Sequence, residues 1–532
     1  MLKKKFIEDF SFLKNKKNII NKYIYSGYKK NISIGKLLKY KSNIVDDIIK
    51  NFWDDNDLKK KNICLIAVGG YGRSELYPFS DIDILILVKN YNDNQVIKNI
   101  ESFIADIWYL KHSVGHSVRT IEESITKINE DSVVYTNLLD SRFIIGDKKL
   151  YKDLLRNITN KNTWSKNKFL LEKKHEQENR YNKFSNTGYL LEPNIKEGPG
   201  GFRDLQTLLW VAKKNFKTNS LLDLYKTDII SKKEYLALLS AQRFLAKTRF
   251  LLHYIHGKPE ERLYFSSQKN LAELFGFEIK TNKGVEDFMQ IFYKHITNVK
   301  QLNEILLKYI QDKMVDPIEN YDKKIKEDFY IKKNIVSVKS EEVFIKNPTK
   351  IFEIFLLKDE KNNLYEISAD TIRYIRENLN LIDNSFRRNP ENKKLFLGIF
   401  LQKNSITKSL RKMYDYGVLA AYLKPFSKIV GMMQFDLFHI YTVDEHTLSV
   451  LSNTRYMSTL DCKNNYNFVY QIFKKLISPE ILYLGALFHD IGKGKKKDHS
   501  KIGAIESLKF CESHGMNKHQ SEMVCWLVEN HL

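Results

Sequence analysis

Asp81 and Asp83 stand two residues apart in the apolar run Asp81-Ile-Asp-Ile-Leu-Ile-Leu-Val88. Side chains alternate along a strand, so this spacing predicts both carboxylates on one face, with Ile82 and Ile84 on the other. Two adjacent carboxylates repel each other unless a divalent cation sits between them, and an all-oxygen pair of this kind suits Mg²⁺ carrying nucleotide phosphates. Upstream, Gly69 and Gly70 end a second apolar run, Asn62 to Val68. Their bare backbone amides can approach a triphosphate closely, at a turn leading into a helix start. Arg73 adds a positive charge three residues on, and Ser80 precedes the first carboxylate. No Gly-Lys-Ser/Thr follows the glycines, so this is not a P-loop.

A second set of residues has different chemistry. His446 lies in Thr442-Val-Asp-Glu-His-Thr-Leu448, and His489-Asp490 ends the apolar stretch Ile481 to Ile491; His499 and His531 follow. Imidazole and carboxylate together suit a divalent transition metal, and adjacent positions at a helix end can flank one ion if a second helix supplies another ligand. His446 is that second-helix candidate, and His499 and His531 can complete a two-metal site. A lone histidine in an apolar helix is usually a core residue; a spaced His, His-Asp, His set with Gly-Lys-Gly following is better explained as ligands. The segment Gly492-Lys-Gly-Lys-Lys-Lys-Asp498 reads as a loop beside them.

These residues need elements to hold them. Asn62–Val68 and Asp81–Val88 read as buried strands, Gly69–Gly72 as a turn, and Arg73–Leu76 as the start of a short helix stopped by Pro78. That is an α/β unit. The Lys-rich first 60 residues show helical spacing at Phe6, Phe10, Phe12 and Leu13, which predicts a helical lead-in. From 151 to 315 the periodicity is helical, as in Leu205, Leu208, Leu209 and Val211, and is broken by the loop Glu197-Gly-Pro-Gly-Gly-Phe-Arg-Asp204. This loop fits either a functional role or a tight turn held by Arg203 and Asp204. Residues 316 to about 360 read as a linker or irregular segment, and the chain is helical again from about 365. Ser478-Pro479 reads as the cap and first residue of the helix that carries His489. The expected domains are 1–60, 61–150, 151–315, 316–430 and 431–532, in the class α/β plus α.

Composition bounds the rest. At 532 residues with 43% hydrophobic and 28% charged residues, the chain can bury several cores. Cys64, Cys462, Cys511 and Cys525 are scattered without a CxxC pair, which suits a reducing cytoplasm. No apolar stretch reaches the roughly 18 residues of a membrane span, and the amino terminus lacks a signal-peptide pattern. The net charge of +23 comes mostly from lysines spread along the whole chain, which describes a solvated lysine-rich surface better than a nucleic-acid site.

Gly-Gly, an Arg three residues on, and Ser80-Asp-Ile-Asp83 about ten residues later resemble the polymerase-beta-like nucleotidyltransferases. The fuller wording, Gly69-Gly-Tyr-Gly-Arg-Ser-Glu-Leu-Tyr-Pro-Phe-Ser-Asp-Ile-Asp83, resembles the bacterial protein-PII uridylyltransferase/uridylyl-removing family. So do Gly115–Thr120, Thr136–Arg142 and Leu191–Gln206, and the likeness runs from about residue 60 to the end. The resemblance implies transfer of UMP from UTP to a tyrosine of PII, releasing pyrophosphate. Asp81 and Asp83 would be the catalytic metal ligands for Mg²⁺, and Gly69, Gly70, Arg73 and Ser80 would bind the nucleotide. A third carboxylate is open among Glu122, Glu123 and Asp131, because Trp108-Tyr109 carries Tyr where the family is expected to show Asp. The second set resembles an HD-type metal phosphohydrolase, implying His446, His489, Asp490 and His499 around a divalent metal such as Mn²⁺ and hydrolysis of UMP from PII. The chain stops at His531-Leu532, before the distal Asp of that domain and before the ACT domains that bind glutamine in the family. The expectation is therefore an impaired hydrolase and no glutamine sensing. Two alternatives are a tRNA CCA-adding enzyme, which also joins a nucleotidyltransferase to an HD domain, and a non-catalytic PII-binding remnant. The Tyr-Gly-Arg-Ser-Glu-Leu wording argues against the first, and the intact Gly69, Gly70, Asp81 and Asp83 against the second.

Overall fold

Apolar side chains on both faces make Ile63–Ala67 (β1) and Ile82–Val88 (β2) central strands. In the structure, a computed structural model, they pair antiparallel with Ala67 opposite Ile84. Val114–Arg119 (β3) adds parallel to β2, and Arg142–Gly146 (β4) adds antiparallel to β1, giving the order β3-β2-β1-β4. The structure describes residues 20–59, 62–108, 113–159, 163–184, 190–315, 323–326, 328–332, 334–358, 363–402, 405–435, 441–493, 495 and 498–531. The lead-in residues Phe6, Phe10, Phe12 and Leu13, and Tyr109, lie outside them. Two compact units divide the chain. The first takes Met1–Ser185, Asn194–Ile229 and Leu238–Leu263, and the second Asn186–Pro193, Ile230–Ala237 and Tyr264–Leu532, each through its described residues.

In the first unit, Ile34–Asp55 (α1) and Asn94–Trp108 (α3) bury Val45, Ile49, Trp53, Ile100, Phe103 and Ile107 against Ile63, Leu65, Ile82, Ile84 and Ile86. Between α1 and α3 in the chain lies one helical turn, Gly69–Gly72 (α2). Full burial of such side chains contributes roughly 1.5–3 kcal/mol each. A surface ion pair contributes about 0–1 kcal/mol. Helix α1 is therefore a structural layer of the sheet. Ile82 and Ile84 belong to this core and Asp83 does not, so the two-residue alternation places the carboxylates on the face away from these helices. The helix expected to begin at Arg73 is instead α2, beginning at Gly69. Gly69 enters it at φ +57° and Ser74 leaves it at φ +59°, so the left-handed positions bracket the turn and end the helix before Pro78.

Helices Ile121–Glu130 (α4), Ser132–Leu139 (α5), Lys166–Asn182 (α6) and Phe202–Phe216 (α7) complete most of this unit. The helix Lys232–His256 (α8) supplies it with Arg249 and His253.

The second unit contains a small sheet that the sequence does not announce. Within 316–360, expected as irregular, Lys323–Lys326 (β5), Phe329–Lys332 (β6) and Ile335–Ser337 (β7) pair antiparallel, and Glu366–Ile367 (β8) joins β7 in parallel. Strands of two to four residues are too short for alternation to stand out in a lysine-rich stretch. Among the described residues, no helix is long and apolar enough to cross a membrane.

Candidate active sites

Asp81 is exposed at the mouth of β2 and Asp83 is half-buried. Burial and the neighbouring Asp81 push the Asp83 carboxyl above its ordinary range, and Lys196 draws it back. This is the repulsion expected of a carboxylate pair built for a cation. Backbone fixes the pair from two sides. Val68 N donates to Asp83 O at 3.0 Å, and Gly115 lies opposite Asp83 in the parallel register. A β-carbon built on Gly115 would fall 2.3 Å from Asp83 Oδ1. One built on Gly69 would lie 3.4 Å from Asn137 Oδ1 and 3.5 Å from Asp83 Oδ2. Both glycines thus keep the space around one carboxylate open. Gly115→Ala is expected to leave the fold intact, because a rotatable carboxylate can yield, and to cut nucleotidyl transfer about 100-fold by displacing it. Steady-state rates and a thermal melt of the variant check this, and wild-type transfer would refute it.

Several supports of this site carry no local sequence signal. The buried Lys41 of α1 donates from Nζ to the carbonyls of Tyr77 (2.7 Å) and Pro78 (2.6 Å), which fixes the segment leading through Ser80 to Asp81. Asp46 accepts from Tyr71 Oη at 2.5 Å and from Arg142 at 2.6 and 3.0 Å, tying α1, α2 and β4 together. These partners lie 25 to 96 residues apart in the chain, so only the fold joins them. Arg73 is engaged by Glu75 and Asp140, each at 2.7 Å. Its charge is compensated within the protein, and Gly70 and Ser80 carry the rest of the predicted nucleotide set nearby in the chain.

The candidates for a third carboxylate separate. In the β2–β3 register Leu87 faces Arg119, four residues beyond the Asp83–Gly115 pair. Glu122 and Glu123 therefore lie past the far end of these strands, roughly 13 Å or more from Asp83 at 3.3 Å per residue. Glu123 closes a capping box with Thr120 and accepts from Tyr91 Oη at 2.6 Å. Asp131 caps α5 through Val133 N at 2.6 Å and lines a cavity of roughly 680 Å³ with Asn194 and Glu197.

The glycine loop is held rigidly. Asn194 Oδ1 accepts from the amides of Lys196 and Glu197, Phe202 N donates to Ile195 O, and Arg203 N donates to Lys196 O. Asp204, fully buried, accepts from Arg180 Nη2 and Tyr181 Oη, both at 2.5 Å, and from Gly200 N at 2.6 Å. The tight-turn alternative, in which Arg203 pairs with Asp204, takes a different form: Arg203 pairs with Glu197 at 3.0 Å, and Asp204 with Arg180. Asp204→Ala would strand a buried guanidinium and is expected to cost about 3–5 kcal/mol of stability, read as a lower unfolding midpoint in urea.

The second site lies wholly in the second unit, on Ile406–Asp415 (α9), Val443–Tyr456 (α10), Pro479–Phe488 (α11), His499–Ser513 (α12) and Lys518–Glu529 (α13). Ser478 and Pro479 start α11 as expected, and His489 caps its end. The triplet Asp444-Glu445-His446 divides its work. Asp444 accepts from Tyr414 Oη (2.8 Å) and Gly431 N (2.9 Å), and Glu445 takes Arg411 at 2.8 and 2.9 Å. The two acids fix α10, and His446 is left facing Asp490.

Asp490, 2% exposed, is the hub. Its Oδ2 lies 3.7 Å from His446 Nε2 and 3.2 Å from His489 Nε2, while Oδ1 lies 3.9 Å from His499 Nε2 and 3.7 Å from His531 Nε2. The four histidines and Asp490 thus form two potential metal triads sharing one carboxylate. His489 Nδ1 and His531 Nδ1 lie 2.8 and 2.7 Å from the Ala486 and Val528 carbonyls, so each ring turns Nε2 toward the centre. His499 Nε2 and His531 Nε2 are buried without a hydrogen-bond partner, which fits metal ligands. Histidines and lysine around it hold the Asp490 carboxyl well below the ordinary range. Lys493, read from sequence as loop, donates to Asp490 at 2.9 Å. Gly492 permits this closure, since a β-carbon there would sit 2.2 Å from the His499 carbonyl oxygen. Gly494, Lys496 and Lys497 of the same loop lie outside the described residues. The site opens on a cavity of roughly 530 Å³ lined by His446, His489, Asp490, Trp526, Leu527 and His531 among others.

Comparison with known proteins matches these regions in order. A nucleotidyltransferase domain model covers 47–172, a GlnD PII-uridylyltransferase model 168–307, a uridylyltransferase GlnD third-domain model 329–422 and an HD domain model 443–532. Relatives named bifunctional uridylyltransferase/uridylyl-removing enzyme include one from Hydrogenovibrio crunogenus, 40% identical over 520 residues, 96% of this chain and 58% of the relative. Another, from Pseudomonas fluorescens, is 38% identical over 502 residues, 94% of this chain and 56% of the relative. A third, from Nitrosococcus oceani, is 40% identical over 475 residues, 89% and 53% respectively. The chain spans about half the length of the curated relatives it matches. With an α/β nucleotidyltransferase unit, the helical regions beyond it and an HD centre each matched in register, the chain belongs to the GlnD PII-uridylyltransferase family.

Proposed function

We propose that this chain transfers UMP from UTP to a tyrosine of the signalling protein PII, releasing pyrophosphate. The observation that carries the reading is the Asp81–Asp83 pair, electrostatically frustrated and kept open by Gly69 and Gly115. In the reaction the tyrosine oxygen, its proton released to solvent, forms a bond to the α-phosphorus as the bond from that phosphorus to the bridging oxygen breaks and pyrophosphate leaves. Asp81 and Asp83 would hold Mg²⁺, which supplies charge neutralisation for the leaving pyrophosphate. Gly69 and Gly70 leave room for the phosphates to approach the backbone, and Asn137 lines the same space. At the second site His446, His489, Asp490, His499 and His531 would hold divalent ions such as Mn²⁺, whose Lewis acidity serves hydrolysis of the tyrosyl phosphodiester.

Labelled UTP, Mg²⁺ and a PII protein, incubated with the purified chain, should show label gained by PII at its tyrosine. No gain on PII together with gain on tRNA would replace this reading by the CCA-adding one. The later loss of label in the same time course measures the second site.

A further inference from the structure

The glycine loop of the first unit packs against the segment that leads to the carboxylate pair and carries one side chain, Lys196, that no step above has used. Lys196 is half-buried, and its backbone already holds the loop through Asn194 and Arg203. Its side chain is not needed for that. The other cations around it are matched: Arg203 with Glu197, Arg180 with Asp204, and Arg249 with Glu261. Among the described residues, Lys196 has no carboxylate within ion-pair distance. Phe202 at the end of the loop packs edge-on against Tyr77, at 6.0 Å, and Arg249 lies 4.1 Å over the Tyr77 ring. Tyr77 begins the segment that Lys41 pins ahead of Asp81, so the loop and the carboxylate strand are joined through one packed cluster. Burial and Arg249 hold the Lys196 ammonium below the ordinary lysine range, while it acts electrostatically on Asp83. A cation kept under this pressure without a partner suits an anionic ligand.

We propose that Lys196 binds the β,γ-phosphate tail of the nucleoside triphosphate, the part that leaves as pyrophosphate. This rests on the reading of the first site as a nucleotidyltransferase centre and assigns the loop a substrate contact. A compact ammonium on a flexible stem can follow the tail as its charge grows during bond breaking.

Calorimetric titration with an α,β-non-hydrolysable UTP analogue plus Mg²⁺, and separately with UMP, tests this on the wild type, Lys196→Met and Lys196→Arg. Lys196→Met should bind the UTP analogue about 10- to 100-fold more weakly, with UMP affinity and melting temperature unchanged and Lys196→Arg in between. Equal loss for UTP analogue and UMP, or loss for neither, would overturn the assignment. If Lys196→Met melts early, Lys196→Gln and the Arg variant carry the same comparison. A wild type that binds no nucleoside triphosphate would overturn both this proposal and the functional reading. A wild type that binds triphosphates yet labels no PII would overturn only the functional reading, and the variants would still decide the role of Lys196.

Discussion

Asp83→Asn is expected to abolish UMP transfer while the first unit melts at the same temperature or higher. The two effects come from one cause. A carboxylate pair that holds a catalytic cation stabilises the transition state by several kcal/mol, so losing one member should lower the rate by roughly 10³-fold or more at about 1.4 kcal/mol per tenfold. In the folded chain without a cation the same pair is a liability. The Asp83 carboxyl is pushed above its ordinary 3.8 by burial and by Asp81. An acid whose folded pKa is raised binds its proton more tightly in the native state, so the stability it allows falls as pH rises from about its unfolded value. The neutral Asn should remove that penalty and flatten the fall. Rates, melting temperature and the pH dependence of melting can be read on one preparation. Asp81→Asn should lose transfer likewise. Wild-type rates in both variants would sink the assignment, and a large drop in melting temperature would show that the pair is structural.

The second large effect is expected at Asp490. Its two oxygens belong to different triads, one facing His446 and His489 and the other His499 and His531. Asp490→Ala should therefore remove both bound ions, whereas His499→Ala should remove one. Metal content of the purified proteins after saturation with Mn²⁺ and gel filtration checks this, and a chelator should lower the melting temperature of the wild type but not of Asp490→Ala. Uridylyl removal from PII should be lost in the Asp490 variant, and UMP transfer should persist. Retention of one ion by Asp490→Ala would mean that the triads are independent sites, and loss of both in His499→Ala would mean a single coupled centre.

The carboxylates of the first site stand out because they sit in an apolar run, whereas His499 follows the lysine-rich stretch 493–497 and is found by residue type alone. Helix α2 shows how far local rules go: the glycines predicted a break between two strands, but the break is itself a turn of helix, since two left-handed positions, Gly69 and Ser74, bracket it. The short strands β5 to β8 escaped notice because two to four residues give no readable period.

What the sequence by itself determined is what depends on neighbours within a few residues. Period-two alternation put Asp81 and Asp83 on the face opposite Ile82 and Ile84, and Ser478-Pro479 set the helix that ends at His489 and Asp490. Residue type then set the chemistry, oxygen ligands in one site and imidazoles in the other. Tertiary structure alone decided which distant groups share a space. It placed Gly115 against Asp83, Lys41 under the approach to Asp81, Asp204 on Arg180 rather than Arg203, and His531 opposite His446 across one carboxylate. It also moved Glu122 and Glu123 to the far end of their strand pair and packed the glycine loop, through Phe202 on Tyr77, against the segment that leads to the carboxylates. The physical reason is that hydrogen bonds act over a few ångströms and screened Coulomb forces over about 10 Å, and a separation of 24 to 125 residues along the chain carries no information about that distance until the strands and helices have packed.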